Sequence, residues 1–191
     1  MSIVLRAAFV LLTASSAVQA LDLRYWIEPC TRPETTCMTQ DPQMAEWALQ
    51  DWQRASNGAL KLEKTTSRLR ANIRVFWASA NQGLYGEARP FVEDGIKGAE
   101  VFVLPQMGAS SDALLRDAIV YLTCLHETGH ALGLSHTDAF PDIMYSFQFG
   151  GDITAYFNRY RRQLKSRDDI PNTTGTSPQD RDRLLAVLKT Y

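Results

Sequence analysis

Apolar and polar positions along this chain follow two different periods, and the change from one to the other divides it into elements. Met44, Trp47, Ala48, Trp52 and Ala55 recur at helical spacing and predict a helix with one face turned to a core. Asp41 and Pro42 open it in the order of cap and first-turn proline, and Gly58 ends it. Strand character marks Leu23 to Ile27, closed by Pro29, and then four short runs: Ala59 to Thr65, Ala71 to Ala78, Leu84 to Arg89 and Ala99 to Leu104. In the Ala71 run the alternation is clear, with Ile73, Val75 and Trp77 sharing one face.

A second, longer helical period follows. Leu114, Leu115, Ala118, Ile119, Leu122 and Leu125 form its apolar surface, with Ser110 or Ser111 as the expected cap and an end near Leu132. Beyond Pro141, the stretch from Asp152 to Arg167 carries five basic residues beside Tyr156, Phe157 and Tyr160, and predicts a helix with a solvated charged face. A polar linker leads to a closing helix from Ser177 or Pro178 to Tyr191, apolar at Leu184, Leu185, Val187 and Leu188. One helix followed by closely spaced strands and further helices indicates an α+β fold: a twisted sheet with helices packed on it.

Composition narrows the setting. At 191 residues the chain suits one domain once its opening segment is set aside. That segment, 1–20, reads as a signal peptide: Arg6, an apolar run from Ala7 to Ala14, then Val18-Gln19-Ala20. The run is too short to span a bilayer, so the expected product is a secreted catalytic or binding domain over 21–191, extracellular or periplasmic, free of the membrane. The charge is nearly balanced, 20 basic against 21 acidic residues, which gives no hint of nucleic acid. Cys30 and Cys37 flank a short loop and can pair in an oxidising compartment, which leaves Cys124 over.

The chemistry is concentrated in His126 to His136, HETGHALGLSH, which holds all three histidines of the chain. On a helix His126 and His130, four apart, present their imidazoles to one metal ion. Glu127 lies about 100° further round, able to reach a metal-held water without being a ligand. Gly133 can take backbone angles closed to other residues, ending the helix and letting the chain bring His136 in as a third ligand. Three protein ligands leave one tetrahedral position open, the mark of a catalytic zinc site. Cys124 sits about 200° round the helix from His126 and reads as a buried small hydrophobe.

Three histidines, a glutamate and a glycine at this spacing, with Met144 a short loop later, resemble the metzincin zinc endopeptidases. Gly129, the run Gly133-Leu134-Ser135-His136 and Thr137 make the closest likeness that to the matrixins. The resemblance implies a mostly parallel sheet with an antiparallel edge strand, packed on two long helices plus a C-terminal helix. It implies zinc ligands His126, His130 and His136, Glu127 as general base and acid toward a zinc-activated water, and Met144 as the Met-turn residue. It also makes Leu84, Tyr85, Gly86, Glu87, Ala88 and Arg89 the edge strand on which an extended protein or peptide substrate lies, with the enzyme acting as a monomer. Several features of these enzymes are missing: the cysteine-switch prosegment of vertebrate matrixins, histidines for the matrixins' second zinc, and the tyrosine that astacins and serralysins place two residues after the methionine, since position 146 is serine. The stretch after Met144 is longer than usual and is expected to add a helix beside the pocket for the residue after the cleaved bond.

Two other readings compete. A non-cleaving zinc-containing binding module on the same fold would have no need of Glu127. A structural metal protein would need a fourth ligand, for which Asp138 is the nearest candidate. Calcium at Glu93-Asp94-Gly95 would require a fuller set of oxygen ligands than the sequence supplies there, so that stretch reads as a solvated turn.

Overall fold

The structure is a computed structural model, and it describes residues 20–79, 85–105 and 112–191. Residues 1–19 of the expected signal segment, residue 84 of the expected edge strand and the serines at 110 and 111 therefore lie outside the described residues. Five strands form one sheet: β1 (Leu21–Ile27), β2 (Leu60–Lys64), β3 (Ile73–Trp77), β4 (Gly86–Glu93) and β5 (Ile96–Val103). Their order is β2-β1-β3-β5-β4, parallel throughout except that β4, at the edge, runs antiparallel to β5. The α+β arrangement with an antiparallel edge strand is thus present.

Chain geometry accounts for the exception. Parallel neighbours need a crossover, which α1 (Asp41–Ala55) supplies between β1 and β2, whereas β4 and β5 are joined by Asp94 and Gly95 alone. Both of these residues have positive φ, 49° and 79°, the conformation whose twist suits a two-residue hairpin. The hairpin also carries pairing right up to Glu93 and Ile96, so both strands run longer than the sequence pattern indicated.

One face of the sheet is covered by α1 and by α2 (Ala113–Ala131). Ile73, Val75, Trp77, Val101 and Val103 meet Met44, Ala48 and Trp52 of α1 and Tyr121, Cys124 and Leu125 of α2 in a continuous core. Trp52 adds a buried hydrogen bond from its indole N–H to the Leu125 carbonyl, 2.9 Å, which locks the two helices in register. On the other face Trp26, Phe76 and Phe102 pack ring against ring across three strands. Cys124 is buried and free, and Cys30 and Cys37 form a disulfide.

Three local readings change. Asp41 does not cap α1; it is the first helical residue, Gln40 precedes it, and its carboxylate takes a bidentate ion pair from Arg116 of α2 and a bond from the Met38 N–H. The cap of α2 is Asp112, which accepts from the Leu114 and Leu115 N–H groups at 3.0 Å and so does the work expected of a serine just upstream. The segment after Pro141 contains α3 (Ile153–Arg161), capped by Asp152 and shorter than the 152–167 stretch. Its charges are not simply solvated: Arg159 donates to the Phe140 and Pro141 carbonyls, and Arg161 pairs with Asp112.

Burial of α2 on its far side follows from what comes after it. Tyr160 of α3 stacks on Tyr121, and Gly175 lies so close to Leu125 and Leu122 that a Cβ there would stand 2.6 Å from Leu125. Buried Asp51 of α1 accepts from Tyr121, Thr174 and the Gly175 N–H, so one carboxylate pins the polar linker to both long helices. The closing helix α4 (Pro178–Leu188) begins with a capping box, Ser177 with Asp180, and buries Leu184. Among the described residues no helix is long and apolar enough to cross a membrane.

Candidate metal and catalytic site

The last two turns of α2 carry His126, Glu127 and His130. The helix ends at Ala131, with Leu132 as its cap, because Gly133, at φ 95°, turns the chain: its N–H bonds to the His130 carbonyl and the Leu134 N–H to that of Gly129. This is the paired closure of a Schellman motif, and it sends the chain back so that His136 faces the helix. The ring Nε2 of His136 then stands 3.1 Å from that of His126 and 3.0 Å from that of His130.

Proton positions follow from the other ring nitrogens. Nδ1 of His126 lies 2.6 Å from the Ile143 carbonyl and Nδ1 of His130 2.8 Å from that of Leu134. A carbonyl can only accept, so each Nδ1 carries the proton and each Nε2 presents a lone pair to the same point. His136 can donate a proton to one of them, not both, and the convergence is repulsive unless a cation shares it. Burial also disfavours the charged ring: it pushes His126 down to about 4, with His130 and His136 adding to the effect against the Ile143 bond. His136 is lowered by partial burial and by His130. Three imidazoles with ligand atoms within 4.8 Å of one another form a donor set that suits zinc, and no fourth histidine, cysteine or acidic side chain among the described residues joins them. Asp138 in particular stays out of the group.

Met144 supports this set from below. Its side chain is fully buried, and a Cβ on Gly129 would stand 2.5 Å from its sulfur and 2.9 Å from the Trp52 ring. Glycine between the two motif histidines is what lets the methionine and the tryptophan pack against that turn of α2. The loop around Met144 is tied to the third histidine by a short bridge, Thr137 N–H to the Met144 carbonyl and Ser146 N–H to that of Thr137. It is tied to α4 as well: Asp180 accepts from the Ile143 N–H at 2.7 Å and more weakly from that of Met144 at 3.4 Å.

Glu127 is buried, and its carboxyl points to the start of β4, where a Cβ on Gly86 would stand 2.5 Å from its Oε1. Burial, with the neighbouring Glu87 carboxylate adding, pushes Glu127 up to about 8. The two ends of the expected substrate strand are thereby told apart. Tyr85 and Gly86 border the site, whereas Glu87 and Arg89 pair with each other in solvent.

Beside His126, His136 and Glu127 opens a cleft of about 370 Å³, walled by Leu122, Tyr145, Phe147, Ile153, Tyr156 and Phe157. Three of these come from α3, so the long segment after Met144 does add a helix at this wall. The pattern of the sequence marked the aromatic residues of α3 but not the direction they face. Nor did it signal the two backbone carbonyls that orient His126 and His130, since a carbonyl has no residue signature.

Comparison with known proteins gives a family and a distant structural likeness. The family model described as matrixin matches residues 18–168, a span that takes in the histidine motif and Met144 and ends before α4. No curated protein matches. Among solved structures the chain is similar to archaemetzincin from Methanopyrus kandleri, at 14% identity and a TM-score of 0.47, over 93% of this chain and 99% of that one.

Proposed function

This chain belongs to the matrixin family of zinc metallopeptidases, and from that premise we propose that it is a secreted endopeptidase in which His126, His130 and His136 hold the zinc and Glu127 moves the proton. The convergence of three Nε2 atoms on one point beside a buried glutamate carries this reading. Bound there, zinc supplies Lewis acidity and a positive charge that favours the ionised form of Glu127. Glu127 takes a proton from the attacking water and delivers it to the departing amine. Its burial keeps bulk water from competing for that proton. His126 and His130 are held in the correct tautomer by the Ile143 and Leu134 carbonyls, and Met144 supports the motif by packing.

An extended peptide lies along β4, whose second edge has no partner among the described residues, and takes its backbone hydrogen bonds there. The side chain after the cleaved bond enters the cleft between α2 and α3. The catalytic domain spans 21–191. Export is supported by the apolar run from Ala7 to Ala14 and by the disulfide between Cys30 and Cys37, which suits an oxidising compartment.

The test separates binding from chemistry. The purified protein should hold about one zinc, as expected of a catalytic site with three protein ligands, and should cleave an unstructured protein. Glu127→Ala should keep the zinc and lose at least about 100-fold in kcat. Undiminished cleavage by that variant would remove Glu127 from the mechanism, and zinc retained by a His136→Ala variant at full affinity would remove the ligand set.

A further inference from the structure

Tyr156 of α3 does two things at once. Its ring belongs to the wall of the cleft, among Phe140, Tyr145, Phe147 and Phe157. Its hydroxyl, buried, donates to the Asp142 carbonyl at 2.9 Å and lies 3.4 Å from that of Ile143. These carbonyls belong to the two peptide groups whose N–H atoms face Asp180, 2.7 Å from Ile143 N and 3.4 Å from Met144 N. The Asp142–Ile143 peptide is thus gripped at both ends, its oxygen by a phenol and its N–H by a carboxylate. The next carbonyl along, that of Ile143, is the one that holds His126 Nδ1 at 2.6 Å.

We propose that Tyr156 is a positioning residue for the zinc site: by fixing the 142–144 backbone it sets the orientation of His126, and it does so from the same side chain that walls the cleft. This rests on the reading of the three histidines as ligands. A backbone carbonyl can orient an imidazole only as well as its own peptide plane is fixed, and Tyr156 and Asp180 are the side chains that fix this plane. The hydroxyl is separable from the ring, since phenylalanine keeps the wall and removes only the donor.

Tyr160 provides the control. It lies on the same helix, is equally buried, and also gives its hydroxyl to backbone carbonyls, those of Thr173 at 2.7 Å and Ile170 at 3.3 Å, remote from the histidines. Zinc affinity of the full chain, wild type, Tyr156→Phe and Tyr160→Phe, should be measured by competition with a chromophoric chelator, beside the thermal midpoint of each metal-free protein and kcat and KM on one peptide at saturating zinc. Tyr156→Phe should bind zinc about 10-fold more weakly, the low end of what loss of a supporting bond costs. It should also show a reduced kcat with KM unchanged. Tyr160→Phe should lower the thermal midpoint and leave zinc affinity at the wild-type value. Equal zinc affinity in Tyr156→Phe and wild type, an equal loss in both variants, or failure of Tyr156→Phe alone to fold would each overturn the proposal. A wild-type protein that holds no zinc would instead overturn the ligand reading on which it rests.

Discussion

Gly129 shows how closely the site is packed at the scale of one residue. In the middle of a helix glycine is about 1 kcal/mol worse than alanine, yet a Cβ here would press on the Met144 sulfur and the Trp52 ring. The methionine tip can shift; the tryptophan is held by its bond to the Leu125 carbonyl and cannot follow. Gly129→Ala is therefore expected to destabilise the protein by about 1–3 kcal/mol, the range for overpacking a filled core. Denaturant unfolding of the metal-free protein would read this, and a gain in stability would mean that α2 moves away from Trp52 at little cost. The glycine was visible in the sequence as part of the motif, but the reason for it was not, because Trp52 lies on a different helix.

Between elements, the join that matters most for the site is that of α4 with the loop around Met144. Asp142 of the loop accepts from Thr137, Ser177 and Arg183, and is buried beneath them. Burial pushes its carboxyl up, but the hydrogen bonds from Arg183, Ser177 and Thr137 outweigh this and hold it below the usual aspartate range. A carboxyl lowered on folding contributes stability that is complete above its unfolded pKa, about 3.9, and is lost as pH falls through the folded value. Thermal midpoints of wild type and Asp142→Asn should accordingly differ at neutral pH and converge below about pH 4. A difference that persists unchanged into acid would assign the effect to packing and not to charge.

The elements themselves were largely legible. Two periods, 3.6 and 2, separated α1 and α2 from the strands, and the alternation at Ile73, Val75 and Trp77 placed the core face of β3 correctly. What escaped were features decided by partners far along the chain. Asp41 forgoes its cap for Arg116, and Arg159 covers aromatic rings and carbonyls where a solvated face was expected. Of the site, the histidines and Glu127 could be named from spacing, and Met144 from the likeness to the metzincins. Tyr156 and Asp180 could not, because each acts on backbone atoms of a loop that the sequence does not place.

For the whole molecule, the proposed ligand set would tie the end of α2 to the loop that follows it, and that loop is tied to α4. Zinc bound by the folded state alone should then stabilise the entire chain, by about 2.7 kcal/mol at a free concentration 100 times the dissociation constant. Calorimetry with and without chelator should show one transition moving to lower temperature on metal removal. A second, separate transition would show that the site melts apart from the rest.

The reach of Asp180 also has a meaning in time. It acts on Met144 across 36 residues of chain, and a chain is made from its N-terminus. At the usual pace of synthesis, the motif and the methionine leave the ribosome on the order of seconds before the carboxylate that steadies them. The histidines are made early, but the peptide that aims His126 is gripped only once α4 has been made. A growing chain thus carries the parts of a protease before it carries a protease, and the step that completes the site is the arrival of α4.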